Sequence, residues 1–88
     1  MSKALLLDAL DLLKEGDFQP GPELDSVHEI SQNHEGDPSF DWIHALVHRI
    51  EGDNANADYW YRRAGKSRHA GPIDEEWLIV RSEVENQS

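Results

Sequence analysis

The sequence predicts an all-α protein of about five short antiparallel helices in a single domain spanning residues 1–88. Three observations point there. Apolar residues recur at three- and four-residue steps over most of the chain, as one face of a helix requires. The triplet Glu-Gly-Asp occurs at 15–17, 35–37 and 51–53, each time between two such segments. Glycine there is suited to a left-handed helix C-terminus, and aspartate to accepting the free amides of the next helix start. Finally, no segment sustains the period-two alternation of a half-buried strand.

The first helix is expected over 3–15, with Leu6, Leu10 and Leu13 on one face, widened by Leu5 and Leu12. Gly16 stops it, and Phe18 packs back toward the core. Gln19-Pro20-Gly21-Pro22 forms a rigid connection, with Pro22 in the first turn of a second helix, 22–35. That helix has the narrowest apolar stripe: Leu24, Val27, Ile30 and, further along, His34. Asp37-Pro38 reads as a cap followed by proline at the first helical position. The third helix, 38–51, carries Trp42, Ile43, Leu46, Val47 and Ile50 on one broad face and is expected to be central. Asp53 caps a fourth helix, 54–64, on which Ala57, Trp60, Tyr61 and Ala64 follow helical spacing. A fifth, 73–85, begins with acidic residues that complement the helix dipole and presents Trp77, Val80 and Val84, with Leu78 beside them.

Composition narrows the setting. A chain of 88 residues buries only about 60–65% of its unfolded surface, so its core is thin. A hydrophobic content of 38%, including three Trp, is still too high for an unfolded chain. A secreted domain this small usually carries disulfides, and the absence of cysteine therefore favours a reducing, cytoplasmic location. Asp8 and Asp11 interrupt the N-terminal apolar run too early for a signal peptide. No stretch approaches the ~20 apolar residues of a membrane span. The net charge of −10 argues against nucleic acid and anionic membranes as partners. Half of the eight basic residues cluster at Arg62, Arg63, Lys66 and Arg68. They either complement the negative end of the fourth helix or form a patch for an anion or acidic partner.

The residues with the most chemistry are Asp41, His44, His48 and Glu51, at three- and four-residue steps on the third helix. At ~100° per residue they share a stripe about 80° wide, roughly opposite the Trp42–Ile50 face. Two histidines at i and i+4 can share a divalent metal ion, and a flanking carboxylate could complete three ligands. Zinc held this way would acidify a water. Without metal, His44 or His48 beside Glu51 could serve as a general base. Asn56 and the aromatics Tyr59–Tyr61 would line one wall, and Arg49 or Arg62 could hold an anionic ligand. The same stripe also fits a solvated helix face. Burial of His44 and His48 separates the readings, because a buried polar stripe is costly unless paired. His28 and His34 read as histidines at the core edge, and His69 as a loop residue without a partner. Tyr59 and Trp60 cannot both share the core face of Tyr61, so one of them should be exposed. With Arg62 and Arg63 they form a patch suited to a protein partner or a homodimer.

Two resemblances add to this. Ala45, Gly52-Asp53, Ala57, Tyr61 and Ala64 keep the order and spacing of one tetratricopeptide helical hairpin. The stretch from His48 to Gly65 is similar to a signature of small uncharacterised bacterial and fungal proteins, His-x-x-Glu-Gly-Asp followed by Asn-Ala-x-Tyr-Trp-Tyr-Arg-Arg-Ala. The first implies tetratricopeptide-like packing of that hairpin, over about one repeat. The second implies a helical fold and carries no mechanism. The thin core, the acidic surface and the Tyr59–Arg63 patch make the leading expectation a protein–protein interaction or assembly module. The alternative is a metal- or histidine-dependent enzyme, or a ligand-binding protein, that uses the third helix's polar stripe.

Overall fold

The computed structural model describes residues 3–87, and among them the chain forms five helices and no strand. These are α1 (Lys3–Glu15), α2 (Pro22–Gln32), α3 (Pro38–Glu51), α4 (Asn54–Ala64) and α5 (Ile73–Glu85). Four of the five match their expected bounds. The second is shorter than expected: it ends at Gln32, with Asn33 at its C-cap. The amide of His34 turns back to the Ser31 carbonyl, and Gly36 takes a φ of 97°. His34 therefore leaves the helix and stacks on Phe40, with ring centroids 4.3 Å apart.

The three Glu-Gly-Asp corners are not equivalent. Only the last behaves as the sequence pattern predicts. There Gly52 is left-handed at φ 79°, and Asp53 accepts the Asn56 amide at 3.3 Å. At the second corner Asp37 caps α3 through the Ser39 amide, but α2 has already ended. At the first corner Asp17 and Phe18, rather than the glycine, take positive φ values of 56° and 54°. Gly16 is required there for space, since a Cβ on it would meet the Cβ of Glu23 at 2.9 Å.

α3 lies at the centre, against α1, α2, α4 and α5. Every residue from Phe40 to Val47 is buried, so the helix has no solvated side along that stretch. Leu6, Leu10 and Leu13 of α1, Leu24 and Val27 of α2, and Trp77, Val80 and Val84 of α5 complete the core with Ile43, Leu46 and Val47. Ala57 and Ala64 of α4 are buried, as is Ala45 of α3. Trp77 spans α5 and α1, donating its indole N–H to the Leu10 carbonyl at 2.8 Å. Leu78, expected beside the core, instead points outward and is 60% exposed, next to the exposed Ile79. Among the described residues, no helix is long and apolar enough to cross a membrane.

Two polar networks run through this core. In the first, Glu76 of α5 is 1% exposed. Its carboxylate accepts from Trp42 Nε1 at 3.1 Å, from the Tyr61 hydroxyl at 2.8 Å and from the Arg49 guanidinium. Arg49 also donates to the carbonyls of His69 and Gly71, pinning the connection between α4 and α5. Burial, and then the Glu76 carboxylate beside it, holds the Tyr61 hydroxyl far above the ordinary phenol range. Every charge in this network has a partner. The second network does not share that property.

Candidate functional site: a three-histidine cluster

His44 and His48 sit one turn apart on α3 and project together, as their spacing dictates. The face they occupy is covered by α2, and the residue that α2 brings is His28. The three imidazoles offer one nitrogen each, all within 4.8 Å of one another. The rings of His44 and His48 lie nearly parallel, with centroids 5.0 Å apart. His28 meets both edge-on, at 4.9 and 5.3 Å. On its other side His44 is stacked against Trp60 of α4, at 3.9 Å and 13°. Arg63 caps the outer face of that indole at 5.2 Å. His48, His44, Trp60 and Arg63 thus form a continuous pile of planar groups between α3 and α4.

His44 is 2% exposed, and its Nδ1 is buried without a hydrogen-bond partner. The hydroxyl of Ser31, one turn after His28 on α2, is also buried and unpaired. Such atoms are uncommon, because an unsatisfied buried polar group costs ~1–3 kcal/mol. Burial, reinforced by the neighbouring His48 and His28, pushes the His44 pKa down from 6.5 to about 4. At neutral pH its ring is therefore uncharged and keeps a lone pair, the state in which imidazole binds metals. His48 retains 12% of its side-chain surface, and its Nδ1 lies 3.0 Å from Glu51 Oε1. A carboxylate accepts, so Nδ1 carries the proton and Nε2 presents the lone pair.

The remaining expected site residues are placed elsewhere. Asp41 is buried one turn before His44, yet it is not among the three clustered groups. It accepts the Gly36 amide at 3.2 Å and lies 4.0 Å from Arg63. Burial raises its pKa, and Gly36 and Arg63 pull it back in part. Glu51 touches the cluster only through His48. Arg49 is turned into the Glu76 network rather than toward a ligand. Asn56 is bonded to its own helix cap through Asp53. Tyr59 is the exposed aromatic at 43%, its hydroxyl accepting from Arg63, whereas Trp60 is buried. Arg62 is exposed in the last turn of α4. His69, expected to be alone, lies 3.1 Å from Glu75.

His28 is the cluster member that sequence spacing did not identify. A signal was present: Leu24, His28 and Ser31 follow each other at four and three residues, which puts His28 beside the buried stripe of α2. Comparison of the chain with protein-family models, curated proteins and solved structures finds no match.

Proposed function

We propose that this protein binds a late first-row transition metal, zinc or copper(II) first among them, through His28, His44 and His48. The observation that carries this reading is the convergence of three imidazole nitrogens, one ring of which is buried, neutral and incompletely bonded. A set of imidazoles without carboxylate or thiolate favours Zn²⁺, Cu²⁺ or Ni²⁺ over Mg²⁺ and Ca²⁺. Nitrogens at the corners of a triangle whose sides are at most 4.8 Å lie no more than about 2.8 Å from its centre, so a Zn–N bond of ~2.0–2.1 Å requires each to close by up to roughly 0.7 Å. Rotation of the three imidazoles, with a small approach of α2 to α3, would supply such a movement. Glu51 has the part of the outer carboxylate that orients a ligating histidine. Three protein ligands leave a fourth position for water or a further donor.

The test is metal content by plasma mass spectrometry on untagged protein purified without chelators, followed by calorimetric titration with zinc. One ion per chain, lost in the His44→Ala/His48→Ala double variant and in His28→Ala while the helical circular dichroism persists, is the expected result. Absence of metal in the purified protein, together with no heat on titration, would remove the proposal.

A second reading rests on a different observation. Leu78 and Ile79 are adjacent, exposed and on the outer side of α5. An apolar pair of this kind supports association, with itself or with a protein partner, in the manner of a tetratricopeptide-like helical module in a cytoplasmic setting. Sedimentation of the wild type and of Leu78→Asp tests it. A monomer at high micromolar concentration in both would discard it.

A further inference from the structure

We infer that the metal is a clasp for α2: ion binding at the three histidines is coupled to docking of α2 on α3, which makes the site a metal-responsive conformational switch. This rests on the metal-binding reading above and adds what the ion does. Two of the three ligands are on one rigid helix, α3, and only His28 is on another. Any ion that recruits all three must therefore tie α2 to α3.

α2 is also the helix built to need such a tie. Among the described residues it packs on α1 and α3 and on no other helix. Its buried side chains are only Leu24, Val27 and Ser31, and the Ser31 hydroxyl has no partner. Its N-cap is Gly21, which offers no side-chain hydrogen bond. The seam it shares with α3 holds the other unpaired buried atom, Nδ1 of His44. Where α5 meets α3 the polar groups satisfy one another, whereas the α2–α3 seam closes without that compensation. The connection before α2 carries two successive non-glycine residues, Asp17 and Phe18, at positive φ. These residues are held by hydrogen bonds to the end of α1 and by Phe18 against Trp77 of α5, so the connection is anchored without help from α2. Undocking α2 would expose the unpaired atoms to water, and metal coordination would oppose it. Local opening of such segments is a normal low-energy event, and a ligand bound only by the closed form suppresses it by mass action.

The experiment is amide hydrogen exchange read by mass spectrometry on the full chain, with chelator and with zinc chloride, beside a calorimetric zinc titration. At free zinc of 100 times Kd, opening of α2 that releases the ion is suppressed up to ~100-fold. Amides of 22–32 and of the flanking turns should slow toward that limit, while those of α4 and α5 change little. His28→Ala should abolish the slowing, and circular dichroism checks that this half-buried position tolerates the change. If zinc binds but exchange in α2 is unaffected, or slows equally in all five helices, the clasp is overturned and the metal site stands. If zinc does not bind, both fall.

Discussion

Glu76→Gln is the most demanding test of the packing described above, because it keeps the side chain's shape and alters only its chemistry. One carboxylate oxygen serves Arg49 and Tyr61, and the other serves Trp42 Nε1. Glutamine can retain the first of these oxygens. Its amide nitrogen then faces the indole N–H, donor against donor, in a position 1% exposed. An unsatisfied buried donor costs ~1–3 kcal/mol, and losing a hydrogen bond to a charged group ~1.5–3 kcal/mol. Together they give about 3–5 kcal/mol, the range found when one partner of a buried ion pair is removed. A chain of 88 residues has on the order of 4–13 kcal/mol to lose. Thermal unfolding followed by circular dichroism should show Tm lower by roughly 15–30 °C. Tyr61→Phe and Trp42→Phe, each removing one donor to the carboxylate, should cost about 1–2 kcal/mol apiece. A Glu76→Gln loss below about 1 kcal/mol would refute the reasoning, since it would mean that the carboxylate is hydrated rather than shared among three helices.

The remaining predictions concern the histidine cluster and one corner. Metal-free protein should lose stability as pH falls from 6.5 toward 4, because His44 takes up its proton in the unfolded chain near 6.5 but in the folded one only at about 4. The total is about 3 kcal/mol, at 1.36 kcal/mol per unit, present in full above pH 6.5. Asp41, whose pKa burial raises, acts in the opposite sense at the acid end. Denaturant titrations in chelator from pH 7 to 4 should show the slope for the wild type and not for His44→Gln; equal slopes would contradict the burial of a neutral imidazole. Glu51→Gln should weaken zinc binding by about 10–100-fold through misorientation of His48, as measured by competition with a chromophoric chelator. Gly52→Ala should cost about 1 kcal/mol or more in denaturant unfolding, since the residue sits at φ 79° with open space around it and only its backbone is at issue.

The helices were legible because they depend on local chemistry. Leu6–Leu10–Leu13, Trp42–Ile43–Leu46 and Trp77–Val80–Val84 each write a face at helical spacing, and Pro22, Asp37-Pro38, Gly52-Asp53 and Gly65 mark the ends. The end of α2 was not legible. His34 is four residues beyond Ile30 and extends the stripe on paper, but its ring is drawn onto Phe40 by a tertiary contact. Gly16 likewise looked like a cap and is instead a point of close approach to α2.

The site was half legible, and the missing half has a single physical cause. Spacing along one helix placed His44 and His48 together, but whether their face is wet depends on what another helix lays over it. Both residues missed, His28 and Glu76, are polar groups set among apolar ones at helical spacing: Leu24 and Val27 before His28 in α2, and Ile73 and Val80 on either side of Glu76 in α5. A polar residue on such a stripe has to be matched across the interface, and the two interfaces of α3 do so differently. Toward α5, Glu76 meets three donors and the carboxylate's bonding is complete within the protein. Toward α2, three basic nitrogens meet one another, with no acid inside the cluster and one buried nitrogen unbonded. The first arrangement needs nothing from outside the chain. The second gathers three imidazole nitrogens within 4.8 Å of one another, and at His44 a proton satisfies them poorly because burial and like charge oppose it. A divalent cation shared by all three, as proposed above, would satisfy them without placing separate positive charges on adjacent rings. That contrast between two polar seams on one helix, rather than the presence of histidines as such, is why we place the proposed metal site at the α2–α3 interface.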